Sequence, residues 1–225
     1  MPYGSSRTSQ RMVLKFIFIR HGQAQHNVDF HTIGQAAFTD PKNKDAPLTD
    51  LGHQQARDAA KHLSDLKILD LWSSPLTRCI QTSEELFEEL DIGTLYLHDN
   101  LLERQGGGNV CNERKEKTEL KKHFILNMEF LPEFPPLWIY SETHTSLHYR
   151  MKMFILLLAD MYKKFEDGHI LVVGHADAIG SLLYKSLKNA EYVILTLDEI
   201  LNAKPELDVT PPPTPSSSPR SITPI

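Results

Sequence analysis

Val13-Leu14-Lys15-Phe16-Ile17-Phe18-Ile19 is an almost unbroken apolar run, rich in β-branched and aromatic residues. A segment this short and this apolar reads as a strand buried on both faces. Such a strand needs cover on two sides, and helices on both faces of a sheet provide it. The run stops at Arg20-His21-Gly22. A second one, His169 to Val173, stops at Gly174-His175. Polar residues directly after buried strands are what an open α/β sheet places at its ligand crevice.

Between these strands, helix and strand signals alternate. Thr49 is a good N-cap for a helix whose apolar stripe is Leu51, Ala56, Ala59, Leu63 and Leu66. A strand at Ile68 to Trp72 leads into Ser73-Ser74-Pro75, where Ser as cap and Pro at the first position predict a helix to about Leu90. Leu76, Ile80, Leu86, Phe87 and Leu90 would face inward. A strand near Thr94 to Leu97, a helix at Thr145 to Phe165, another at Asp177 to Leu187 and a last strand at Glu191 to Leu197 follow. Gln23 to Pro47 reads as polar and irregular. Glu113 to His123 reads as a charged helix, and Pro132, Pro135 and Pro136 break the stretch after it. The pattern predicts an α/β domain with a mostly parallel sheet over residues 12–203. It is flanked by a flexible terminus (1–11) and a disordered Pro/Ser/Thr-rich tail (204–225).

Composition narrows the function. A chain of 225 residues, 40% hydrophobic and 24% charged, suits one soluble domain. Its net charge of −5 gives no field to attract nucleic acid, so an anionic substrate must be held by locally placed cations. The longest apolar run, Met153 to Ala159, is too short to span a bilayer. Residues 1–11 lack the apolar region of a secretory signal. Cys79 and Cys111 have neither redox nor zinc spacing and read as reduced thiols. The expectation is a cytoplasmic protein with no nucleic-acid or membrane partner.

The strand ends collect one chemistry. His21 follows the first strand, Arg78 lies just inside the helix after the second, Glu103 follows the third, and His175 follows the penultimate strand. If the strands are parallel, all four meet in one crevice. A neutral imidazole such as His21 is a competent nucleophile and can form a covalent intermediate. Arg20 and Arg78 offer permanently charged forks to phosphoryl oxygens. His175 can add a hydrogen bond. Glu103 can protonate a leaving alkoxide if its pKa is raised. The helix opened by Ser74-Pro75 would aim its N-terminus at the anion.

The same residues carry a family resemblance. Arg20-His21-Gly22-Gln23-x-x-x-Asn27 resembles the signature of the histidine phosphatase superfamily, the phosphoglycerate mutase-like group (branch 1). Pro47-Leu48-Thr49-x-x-Gly52-x-x-Gln55-Ala56, Ser73-Ser74-Pro75-Leu76-x-Arg78-x-x-Gln81-Thr82, Leu102-Glu103-Arg104 and Val172-Val173-Gly174-His175 resemble its later blocks, in the family's order. The resemblance implies a three-layer α/β/α, phosphoglycerate mutase-like fold. It also implies a phosphohistidine on His21 and a phosphate pocket of Arg20, Gly22, Arg78 and His175 with Asn27 at its edge. Glu103 would be the acid, and neither metal nor organic cofactor is implied. Two departures stand out: Ala176 replaces the usual Gly after the second histidine, and Arg104-Gln105-Gly106 lacks the mutases' continuation. The second favours a hydrolase of a small phosphorylated substrate, with a phosphoprotein as the alternative.

Other features have plainer readings. Glu142 is the alternative acid. His144 and His148 have a metal-compatible spacing but no third ligand. Gly106-Gly107-Gly108 does not open a helix and reads as a loop near the site. The mixed charges from Glu113 to Lys122 read as a solvated face, and the tail as a segment able to dock a partner. A non-catalytic phospho-ligand binder and a mutase are the competing functions.

Overall fold

The computed structural model describes residues 14–121, 125–136 and 141–204. Six strands form one sheet: β1 (Lys15–Arg20), β2 (Ile68–Ser73), β3 (Leu95–Leu97), β4 (Leu126–Asn127), β5 (His169–Gly174) and β6 (Tyr192–Thr196), in the order β4-β3-β2-β5-β1-β6. All neighbours pair in parallel except β6, which runs antiparallel to β1. The helices are α1 (Gln25–Ile33), α2 (Asp50–Leu63), α3 (Thr77–Glu89), α4 (Lys117–Leu120), α5 (His144–Met161), α6 (Ala176–Leu183) and α7 (Leu197–Leu201).

The alternation of side chains along each strand builds the layers. Ile17 and Ile19 of β1, Leu71 of β2, and Leu171 and Val173 of β5 face one way and pack with Ala60 and Leu63 of α2 and Ile80 and Leu86 of α3. Phe16 and Phe18, Trp72, Ile170 and Val172 face the other way, onto Leu147, Met151 and Phe154 of α5 and Ile179 and Leu182 of α6. The sheet is therefore the middle of an α/β/α sandwich. Each of these large side chains contributes about 1.5–3 kcal/mol by leaving water.

Topology places the site. From β1 the chain steps outward through β2, β3 and β4, then returns to insert β5 between β2 and β1. The register puts Arg20 opposite Gly174, and Ser73 opposite Val173. The backbone N–H groups of His21 and Ser74 donate to Gly174 O (3.0 Å) and Val173 O (3.1 Å). His21, Ser74 and His175 thus leave three adjacent strands at one carboxyl edge, where the strand order reverses.

Several local expectations are corrected. Gln23 to Pro47 is not irregular throughout, since α1 and two short 3-10 turns occupy it. Leu51 is 52% exposed, so it lies off the apolar stripe of α2. The helix expected at Ser74-Pro75 begins at Thr77, because the Asp45 carboxylate takes the Thr77 backbone N–H at 2.8 Å and its hydroxyl at 2.5 Å. The expected helix from Glu113 shrinks to α4, and Arg114 in that run is buried in an ion pair with Asp99 rather than solvated. Residues 1–13 and 205–225, with both expected flexible segments, lie outside the described residues apart from Lys204.

Candidate active site

The segment that carries His21 is held by the rest of its sequence neighbourhood. Gly22 crosses Gly52 so closely that a methyl group on either would run into the other segment's backbone. Gln23 N–H donates to Gln55 Oε1 (2.8 Å), Leu48 N–H to Gln81 Oε1 (2.8 Å), and Gly22 N–H to Thr82 Oγ1 (3.0 Å). Thr49 caps α2 by accepting from Gly52 N–H at 3.1 Å. The second and third motif blocks therefore act largely as a clamp on the loop after β1.

That clamp presents His21 as a defined tautomer. Its Nδ1 lies 2.7 Å from Gly22 O, a pure acceptor, so Nδ1 carries the hydrogen and Nε2 keeps its lone pair. His21 is 2% exposed, and burial together with Arg78 and Arg20 pulls its pKa well below the ordinary value. The ring is therefore neutral. His175 lies behind it, fully buried, with ring centroids 5.2 Å apart and an edge-on geometry. Its Nε2 meets Ser74 Oγ at 2.8 Å and Cys79 Sγ at 3.4 Å, and burial depresses its pKa too. Ser74, expected as a helix cap, is a partner of His175 instead.

The two guanidiniums flank the imidazoles. Arg20 donates from Nη1 to Leu187 O at 2.9 Å. Arg78, 1% exposed, donates from Nη1 to Cys111 O (2.7 Å) and from Nη2 to Asn112 Oδ1 (3.0 Å). Glu103 accepts the backbone N–H groups of Asp177 (3.1 Å) and Ala178 (3.0 Å) at the start of α6, and that of Arg104 at 2.9 Å. These amides favour the carboxylate. Burial and the neighbouring Asp177 outweigh them, and the Glu103 pKa rises above its ordinary value.

Arg20, His21, Asn27, Arg78 and Glu103 line one cavity of about 300 Å³, together with Ala176. Gly22 is not on its wall; its carbonyl oxygen accepts from His21 Nδ1 at 2.7 Å. His175 touches His21 rather than the cavity wall. Asn27 stands at the edge, with its amide engaged by Ala24, Asn189 and His26. The alternative acid Glu142 is elsewhere: Arg150 clamps both its oxygens at 2.8 and 2.7 Å. His144 meets Arg104 (2.9 Å), and His148 meets Ser181 O (2.8 Å). Sequence reasoning missed His26, Arg104, Asn109, Cys111 and Asn112 as members of the cavity wall. His26 sits inside the first motif block and was within reach. Arg104 likewise sits in a motif block, while Asn109, Cys111 and Asn112 come from a loop and a short 3-10 turn that no periodicity announces.

Comparison with known proteins identifies the family and the fold. The sequence model of the histidine phosphatase superfamily (branch 1) matches residues 16–196. A fructose-2,6-bisphosphatase, TIGAR B of Danio rerio, is 32% identical over 67% of this chain and 54% of its own length, so the chain spans about half of that relative. A probable phosphatase of Schizosaccharomyces pombe is 28% identical over 86% of this chain and 69% of its own. Among solved structures, the silkworm ecdysone phosphate phosphatase has a TM-score of 0.60 at 16% identity, covering 80% of this chain and 88% of that one. A mycobacterial glucosyl-3-phosphoglycerate phosphatase has a TM-score of 0.55 at 20% identity, covering 81% and 92%. With its family model matched from β1 through β6 and a shared sandwich fold, this chain belongs to the histidine phosphatase superfamily, branch 1.

Proposed function

We propose that this chain is a phosphatase that hydrolyses a small phosphate monoester through a phosphohistidine on His21. The observation that carries this reading is a neutral, buried imidazole with its Nε2 lone pair free, set between two guanidiniums on one small cavity. Nε2 attacks phosphorus while the bond from phosphorus to the leaving oxygen breaks, and Glu103 gives that oxygen its proton. Glu103, now a carboxylate, takes a proton from water, whose oxygen attacks the phosphohistidine. Inorganic phosphate leaves and His21 returns to its neutral form.

The charge spread over the phosphoryl oxygens is met by Arg20 and Arg78. Burial supports the acid role of Glu103, because a raised pKa keeps its proton available nearer neutrality. His175 hydrogen-bonds to Ser74 and fixes the back of the nucleophile's site. The relatives' names mention fructose bisphosphate, ecdysone phosphate and glucosyl phosphoglycerate, which favours a small phosphorylated molecule as substrate. The expected result is turnover of an aryl phosphate that survives a metal chelator, with an acid-labile phosphoprotein in the wild type. His21→Ala should lose both, with a rate drop of about 10⁴-fold or more. Retained turnover in that variant, or a chelator-sensitive wild type, would refute the mechanism.

A further inference from the structure

The block that supplies the nucleophile also holds a histidine that the steps above do not use. His26, in the first turn of α1, is 5% exposed, and its ring lines the cavity beside Arg20, His21 and Arg78. Its centroid is 6.0 Å from that of His21 and 6.0 Å from that of Phe38.

Its hydrogen position follows from its neighbours. Asn27 presents its amide oxygen to the backbone N–H of Ala24 (3.0 Å) and to Asn189 Nδ2 (3.3 Å). A backbone N–H can only donate, so the Asn27 amide has one orientation. Its Nδ2, a donor, therefore faces His26 Nε2 at 3.0 Å, and that ring nitrogen is the bare acceptor. Burial, with Arg78 and Arg20 nearby, pushes the His26 pKa down to about 2, so the ring is neutral and its single hydrogen is on Nδ1. That Nδ1 is buried without a partner.

Among the described residues, four buried side-chain atoms lack a partner: His26 Nδ1, Arg20 Nε, Arg78 Nε and Asn43 Oδ1. The first three are all donors, and all belong to residues that line this one cavity. Leaving a buried donor unpaired costs roughly 1–3 kcal/mol, so three around a single cavity call for a common acceptor. A polyatomic anion is such an acceptor.

We propose that His26 binds the transferred phosphoryl group, donating from Nδ1–H to one of its oxygens alongside Arg20 and Arg78. Asn27 is then a positioning residue that holds His26 in the donor tautomer. This deepens the phosphatase reading and rests on it. The phosphoryl group is common to every substrate of such an enzyme, so a donor to its oxygens serves them all alike.

Three substitutions test this through kinetics on an aryl and an alkyl phosphate, binding of inorganic vanadate, and thermal unfolding. H26F keeps a ring against Phe38 but has no donor. H26N sets an amide near the place of Nδ1, whereas H26Q sets one near Nε2. The expected result is a roughly 10- to 100-fold fall in kcat/KM and in vanadate affinity for H26F. The fall should be equal for both substrates, with no drop in Tm, and H26N should recover most of it while H26Q does not. Should H26F fail to fold, the contrast between H26N and H26Q decides alone. Equal behaviour of all folded variants and wild type would overturn the role of His26 while leaving the His21 mechanism intact. A wild type that neither turns over the aryl phosphate nor binds vanadate would overturn both.

Discussion

The floor of the site and its rim are built by different means. The floor, from Arg20 to Asn27 and from Ser73 to Arg78 with Gly174-His175, hangs from strand ends and is pinned by backbone crossings such as Gly22 on Gly52. The rim, described over residues 99–121, 125–136 and 141–142, has little regular structure there and is tied together by buried charge. Arg114 pairs with Asp99 at 2.7 and 3.1 Å and donates to Pro132 O and Phe134 O at 3.0 and 2.8 Å. Arg150 grips Glu142 and donates to Asn100 O and Leu102 O at 2.7 and 3.0 Å. A floor fixed by the sheet can keep one chemistry, while a rim held by side chains can change shape with few substitutions. On the proposed function, reaction and substrate choice fall to separate parts of the chain.

If this division holds, floor variants should harm every substrate alike. Arg78→Ala should lower kcat/KM by about 10³-fold, because it removes a preorganised cation from the developing phosphoryl charge. Arg78→Lys should recover little, since an ammonium cannot hold Cys111 O and Asn112 while serving the phosphoryl group. A loss confined to one substrate would break the comparison. The next effect belongs to the rim. Arg114→Ala strands the Asp99 carboxylate, whose pKa burial already raises, and should cost about 3 kcal/mol in denaturant unfolding. Its kcat on a small aryl phosphate should stay close to wild type, and KM for bulkier substrates should rise. A collapse of kcat on the aryl phosphate would show that the floor depends on the rim.

Glu103 stands at the junction, with its carboxylate on the first amides of α6 and its backbone in the rim. Glu103→Gln should slow alkyl phosphates by roughly 10²-fold, about 2.7 kcal/mol, and aryl phosphates far less, because only a poor leaving group needs the proton. Equal slowing of both would move the acid elsewhere.

The same division explains what could be read in the sequence. β1 and β5 were legible because burial on both faces forces apolar runs. That Arg20, His21 and His175 lie together was legible because a parallel sheet gathers its carboxyl ends. α2 was legible through the Thr49 cap and its alanines. The start of α3 was misread, because Asp45, distant in sequence, supplies the cap that Ser74 and Pro75 seemed to offer. α1 was missed because its only described buried residue is the polar His26, which leaves no apolar stripe to find. That same absence hid His26 as a cavity residue. The rim was opaque for a physical reason: Arg114 and Arg150 look like surface charges in sequence, and only their carbonyl and carboxylate partners make them interior.

The smallest effect tests the floor through its protons. His21, His26 and His175 in the floor are buried and His98, just before the rim, is half-buried; burial lowers each pKa, to about 2 for His26 and about 4 for His98. In the unfolded chain each returns to about 6.5. Below that value the unfolded state binds more protons than the native one, so stability falls as pH falls, by up to about 1.4 kcal/mol per pH unit for each histidine. Glu103, Asp45 and Asp99 have raised values and act in the opposite sense, since stability they contribute at low pH is lost as pH rises through their folded values. The useful quantity is therefore a difference in which these shared contributions cancel. Urea unfolding of wild type and H26F, followed from about pH 7 to about pH 5, should give a shallower dependence for the variant, by up to about 1.4 kcal/mol per pH unit. Parallel curves would mean that His26 does not gain a proton on unfolding, and the neutral Nδ1–H donor assigned to it would be lost with that result.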